Sequence, residues 1–134
     1  MSTNKKKIAI FAAGTGGHVY PGLSIAKELM NKDISILWIG TKNGIEKKIL
    51  EGTNIPIKCI NFSGIRGNGL IAYIKLPIKL LVAIFQAIII LREYKANAVL
   101  SMGGYISFPC SIASFFLRIP IIIHEQNIIF GMTN

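Results

Sequence analysis

The hydrophobic positions fall into two kinds of block. Continuous apolar runs stand at residues 8–12 (IAIFA), 34–39 (ISILWI), 98–102 and 119–124, with a weaker one at 55–60. Runs of this length, with no polar alternation, predict strands covered on both faces. Between them the apolar residues take helical spacing. Leu23, Ile25, Ala26, Leu29 and Met30 form one stripe, residues 45–50 a short one, and residues 70–94 a long one. A further helix is expected from Pro109 to about Leu117. Pro21 is expected in the first turn of its helix, where a missing N–H costs nothing. Pro77 is expected to break or kink the long helix. Strands that alternate with helices predict an α/β fold: a Rossmann-like parallel sheet with helices on both faces and right-handed crossovers.

Length and composition narrow this picture. The 134 residues are enough for one domain, and 51% hydrophobic with 16% charged residues excludes a disordered chain. The net charge of +9 points to anions: nucleic acid, anionic lipid or a phosphorylated ligand. The lysines are dispersed beyond Lys5, Lys6 and Lys7, and no base-stacking aromatic pattern accompanies them, so nucleic acid is not expected. Cys59 and Cys110 form no CxxC and suit no metal site, so they read as free thiols. The apolar run after the N-terminal lysines is short and leads straight into glycines, which disfavours a signal peptide.

The candidate chemistry sits where strands end. Gly14-Thr15-Gly16-Gly17-His18 follows the first strand, and Gly103-Gly104-Tyr105 follows the fourth. Each unit places Gly-Gly and a ring after a strand, and a proline at the next helix. In an open parallel sheet such loops share the ligand-binding edge. Glycines before a helix suit a close-approaching anion. Yet the loop lacks G-x-G-x-x-G, a P-loop lysine and an acid at residues 40–42, which argues against a dinucleotide reader. His18 could act as a general base, since imidazole ordinarily titrates near neutrality, or could simply pack or cap. His124 reads as structural. Glu125, Gln126 and Asn127 follow the last strand and offer hydroxyl or amide recognition. Together with the two loops they suggest a polyol or nucleotide-sugar site.

The long helix is too interrupted by Lys75, Pro77 and Lys79 to be expected to span a bilayer. Ile74, Ile78, Leu81 and Phe85 repeat at helical spacing beside those lysines. Such a face suits an anionic membrane surface or, equally, a protein core.

GTGGH, SGIRG, SMGGYISFP and HEQN followed by GMTN, in this order, resemble the N-terminal half of the MurG family. These are bacterial UDP-N-acetylglucosamine–N-acetylmuramyl-(pentapeptide) pyrophosphoryl-undecaprenol N-acetylglucosaminyltransferases. The resemblance covers essentially the whole chain. It implies residues 1–134 are the N-terminal, acceptor- and membrane-binding domain of a GT-B glycosyltransferase, with the C-terminal donor-binding domain absent. It implies transfer of N-acetylglucosamine from UDP-GlcNAc to the 4-hydroxyl of lipid I, giving lipid II with inversion. The expected place is the cytoplasmic side of the bacterial plasma membrane, peripherally bound. No cofactor or metal is implied.

By the same resemblance, Thr15, Gly16, Gly17 and Asn127 contact the donor. Gly103, Gly104, Tyr105 and Gln126 lie on the acceptor side, with His18 as the base and Glu125 as the second catalytic candidate. Ile74, Lys75, Ile78, Lys79, Leu81 and Phe115 match the family's membrane-docking patch. Two positions depart from the family pattern: Phe108 is bulky, and Ile128 stands where glycine is usual; both are expected to narrow the site. With one wall of the cleft missing, the isolated chain is expected to be inactive. The alternative is a non-catalytic, membrane-docking subunit that pairs with a separate donor-binding chain.

Overall fold

The computed structural model describes residues 5–14, 16–62 and 69–124. Among the described residues nine elements alternate: β1 Lys7–Phe11, α1 Gly16–Asn31, β2 Ser35–Thr41, α2 Glu46–Ile49, β3 Ile57–Ile60, α3 Gly69–Tyr94, β4 Ala98–Ser101, α4 Ser107–Phe116 and β5 Ile121–Ile123. The five strands form one sheet in the order β3-β2-β1-β4-β5. Every pairing is parallel, with Phe11 level with Ile39 on one side and Ser101 on the other.

Both faces of the central strands are covered, as their apolar runs require. The edge strand β5 departs from that expectation, with Ile122 and Ile123 exposed because no described helix covers them. On one face Ala9, Phe11, Leu37, Ile39 and Val99 pack against Ala83, Ala87 and Leu91 of α3 and Cys110 and Ala113 of α4. On the other, Ile10, Ile36, Trp38 and Leu100 pack against Val19 and Ala26 of α1 and against Leu50. The Trp38 indole N–H donates to the Ala12 carbonyl at 3.0 Å. A Cβ added to Gly22 would lie 2.8 Å from the Trp38 ring, so this glycine lets α1 settle on the sheet. Both thiols are free. Cys110 is buried and desolvation pushes its pKa up; Cys59 is half-buried and shifts the same way, chiefly for the same reason.

Two proline expectations need correction. α1 begins at Gly16, so Pro21 lies inside the helix rather than in its first turn. Gly16 and Gly17 are already helical, and tertiary packing of Val19 holds that early turn in place. α3 runs unbroken through Pro77. The carbonyl that Pro77 cannot serve belongs to Tyr73, which is 62% exposed, so water can replace the lost bond. Pro109, by contrast, sits in the first turn of α4, where orphan N–H groups are normal.

Candidate functional site

The sheet order reverses between β1 and β4. From β1 the chain crosses to β2, and from β4 it crosses to β5 on the opposite side. The crossovers from such a pair of strands run to opposite sides of the sheet, and a crevice opens at the strands' carboxyl ends. The Met102 N–H donates to the Phe11 carbonyl at 3.0 Å, so the two strands end level and their loops meet.

That meeting is reciprocal. A Cβ placed on Gly103 would lie 3.2 Å from His18 Cδ2, and one on Gly104 would lie 3.5 Å from His18 Nδ1. The imidazole of the first unit therefore rests against the glycines of the second. A Cβ on Gly14 would lie 3.1 Å from Cε1 of Tyr105. The ring of the second unit thus rests against a glycine of the first. Gly103 and Gly104 take φ of 95° and 89°, which other residues rarely adopt, so both the backbone and the close contact call for glycine.

Helix starts border the same crevice. Gly16 and Gly17 open α1, and neither α1 nor α4 carries an acid in its first turn. The positive ends of both helix dipoles are thus left without an intrinsic counter-charge, which favours an anion there.

Beside this crevice lies an arrangement the sequence did not announce. Glu46 is completely buried, and its Oε1 accepts from the Thr41 N–H and, at 3.0 Å, from the Thr41 hydroxyl. Thr41 Oγ1 stands 3.5 Å from the Tyr105 hydroxyl. Gly40 and Gly44 leave room for the carboxylate: a Cβ on Gly40 would fall 2.7 Å from Glu46 Cγ. An acid does therefore reach the end of β2, where a dinucleotide reader would hold a ribose, but it is turned inward and used by Thr41. An acid in the first turn of a short helix is an ordinary helix-start signal. Only the spacing of Gly40 and Gly44 around Thr41 hinted at more.

α3 meets both descriptions given for its sequence, on different faces. Ala83, Ile84, Ala87 and Leu91 are in the core, while Ile74, Ile78, Leu81 and Phe85 are 56% to 64% exposed. Lys75 and Lys79 are exposed beside them. Phe115 of the neighbouring α4 is 75% exposed and makes an edge contact with Phe116 at 6.1 Å between ring centroids. By length and composition α3 could cross a bilayer, with mean hydropathy 2.2 in its most apolar stretch. Crossing would pull Leu91 and Ala87 out of the core that they complete.

Thr15, Glu125, Gln126 and Asn127 lie outside the described residues, as do Arg66 of the SGIRG stretch and Ile128. The chain nearest the last three is placed: the His124 N–H donates to the Ser101 carbonyl at 2.9 Å, at the end of β4. Phe108 is largely exposed on α4. Among the described residues no group of three or more His, Cys, Asp or Glu could hold a metal ion.

A parallel sheet of this order, with glycine loops and helix starts gathered at its switch point, is a Rossmann-like domain, and its likeness to a solved glycosyltransferase makes it an N-terminal domain of the GT-B type. The comparisons specify it further. Residues 8–134 match the glycosyltransferase family 28 N-terminal domain, and the chain belongs to that family. It is 46% identical over 129 residues to the UDP-N-acetylglucosamine–N-acetylmuramyl-(pentapeptide) pyrophosphoryl-undecaprenol N-acetylglucosamine transferase of Haemophilus ducreyi, covering 96% of this chain and 36% of the relative. The transferase of the same name from Buchnera aphidicola is 47% identical, with the same coverage. Among solved structures, Acinetobacter baumannii MurG superposes with a TM-score of 0.82 at 42% identity, over 96% of this chain and 37% of that one. The chain thus spans just over a third of the length of the curated relatives it matches.

Proposed function

We propose that this chain is the acceptor- and membrane-binding domain of an inverting N-acetylglucosaminyltransferase. The donor is UDP-GlcNAc and the acceptor is the 4-hydroxyl of lipid I, a muramyl-pentapeptide linked through pyrophosphate to undecaprenol. The product is lipid II, the peptidoglycan precursor. The observation that carries the reading is the seating of His18 against Gly103 and Gly104 at the switch point.

The chemistry follows from that position. The 4-hydroxyl oxygen attacks the anomeric carbon of GlcNAc as the bond from that carbon to the UDP oxygen breaks. Configuration inverts, UDP departs, and the hydroxyl proton passes to the His18 imidazole. A positioned base contributes roughly 10²–10⁴-fold to such a step. Packing against two glycines limits the rotamers open to His18. Amides at the start of α1 and in the second glycine loop suit the acceptor's sugar-side phosphate. Thr15 and Asn127 are assigned to the donor, and Glu125 and Gln126 to the acceptor side, by family motif.

Donor recognition falls to a C-terminal domain, so the chain alone is inactive. The exposed face of α3, with Phe115, docks on the anionic cytoplasmic surface of the plasma membrane, held by apolar insertion and by Lys75 and Lys79. The test is a chimaera joining this chain to the C-terminal region of the Acinetobacter baumannii protein. His18→Ala should lower turnover about 10²–10⁴-fold with an unchanged UDP-GlcNAc KM. Full turnover in that variant would remove His18 from the mechanism. Product made by the isolated chain would overturn the half-domain reading.

A further inference from the structure

Between the ends of β2 and β3 and the middle of α3 lies a second cleft, of about 450 Å³. Ligand pockets commonly span about 300–1,000 Å³. Its apolar side is Ile60, Phe62, Ile78 and Val82. Its polar side is Thr41, Lys42, Asn43, Asn61, Lys79 and Tyr105, with no acid among the lining residues. The Gln86 side-chain oxygen accepts from the Asn61 N–H at 2.7 Å, tying α3 to the end of β3 and setting the width of the cleft.

We propose that this cleft holds the prenyl-phosphate end of the lipid-linked acceptor: the phosphate nearest the lipid and the first isoprene units. The inference rests on the transferase reading above, and three observations select the occupant. One wall of the cleft, Ile78, is also part of the exposed apolar face of α3, so a chain lying along that face can enter without crossing polar surface. The other end is Tyr105, whose ring packs on Gly14 and stands 6.2 Å from Phe62 between centroids, so the cleft leads to the His18 crevice. At its mouth stand Lys42, Lys79, Asn43 and Asn61, with the Tyr105 hydroxyl, all able to donate to a phosphate. A free nucleotide is a poorer occupant, because the nearby acid that could hold a ribose, Glu46, is buried and bonded to Thr41. The acceptor would then lie as a bent amphiphile, with lipid along α3, one phosphate in the cleft and the sugar at His18.

The probe is farnesyl monophosphate, titrated into the 134-residue chain and followed by amide NMR and calorimetry, beside farnesol and inorganic phosphate. Saturable shifts at Asn43, Asn61 and Val82 are expected, with each half-probe binding at least about tenfold more weakly. Lys42→Glu, at an exposed loop position away from the membrane face, should weaken binding about tenfold. Val82→Trp should fill the cleft and abolish binding while circular dichroism shows the fold retained. Equal affinity for inorganic phosphate or for farnesol would overturn the proposal, as would shifts confined to Ile74 and Phe85, or indifference to Lys42→Glu. The chimaera separates the two readings. If turnover proceeds while farnesyl phosphate misses the cleft, only this inference falls. If farnesyl phosphate fills the cleft but the chimaera transfers nothing, the transferase reading falls.

Discussion

The units β1–α1 and β4–α4 have the same outline, a strand, a glycine loop, a ring and a helix containing proline. They are used differently. The first contributes a titratable ring, His18, and receives an inert surface, Gly103 and Gly104. The second contributes Tyr105 and receives Gly14. Each loop is the other's floor. Two similar units thus form one rigid rim because glycine on one side makes room for the ring on the other. The comparison also separates backbone demands from contact demands, which glycine substitutions can measure.

The largest loss of stability is expected where both demands coincide. Gly104 has φ of 89°, and a Cβ there would stand 3.0 Å from the Ala13 carbonyl oxygen, a backbone atom with little freedom to move. Gly52 has nearly the same φ, 83°, with nothing within 4 Å of an added Cβ. Gly52→Ala should cost about 1–2 kcal/mol from backbone strain alone. Gly104→Ala should cost about 2–4 kcal/mol, strain plus overpacking. Urea denaturation of both variants isolates the contact. Equal losses would mean that the rim is looser than the distances indicate.

A smaller pair tests the division of labour between loops. Gly103→Ala and Gly14→Ala carry similar φ strain, at 95° and 98°, and each crowds a ring, His18 or Tyr105. Both should cost about 1–2 kcal/mol. With His18 as the proposed base, Gly103→Ala in the chimaera should lower turnover well beyond Gly14→Ala, because a displaced base costs more than a displaced wall. Matching turnover losses would dissolve the functional asymmetry between the two units.

The sequence made the sheet legible because its central strands are nearly continuous apolar runs, as buried parallel strands require, while β3, interrupted by Lys58, gave only a weak signal. It also made legible which loops would meet, because glycines follow the strands that become neighbours at the switch point. The start of α1 was not legible. Proline usually marks a first turn, and here Val19 packing outweighed it. Glu46 was missed for a different reason. Its importance lies in a bond to Thr41 across a glycine loop, and neither hydropathy nor helix spacing encodes such a bond. The apolar excess of α3 was plain, but which residues faced the core depended on where the sheet ended. Only the packing of Ala83, Ala87 and Leu91 showed that.

The two prolines turn the same comparison into a difference of sign. Pro21 lies within α1 and is only partly buried, so Pro21→Ala relieves the clash of its ring with the preceding helical turn at small packing cost. It should stabilise the chain by about 1 kcal/mol or more. Pro109 lies in the first turn of α4 and is fully buried, so Pro109→Ala restores no helix bond and opens a void. It should destabilise by about 1–2 kcal/mol. Thermal melts of the two variants should move in opposite directions. A shift of the same sign would show that the two helix starts are alike after all.

The smallest effect concerns the polar end of Tyr105. Its hydroxyl stands 3.5 Å from Thr41 Oγ1, at the outer limit of a hydrogen bond, while the ring supplies the contact with Gly14. Thr41 already has a better partner, since its hydroxyl donates to Glu46 at 3.0 Å. Tyr105→Phe keeps the ring and should change stability by less than about 0.5 kcal/mol. Tyr105→Ala, which uncovers Gly14, should cost about 2 kcal/mol or more, the lower end for a large ring that is only partly buried. If Phe proved as damaging as Ala, the hydroxyl rather than the ring would be what joins the two loops. The rim would then be held by the chain of contacts from Glu46 through Thr41 to Tyr105, and not by glycines receiving rings.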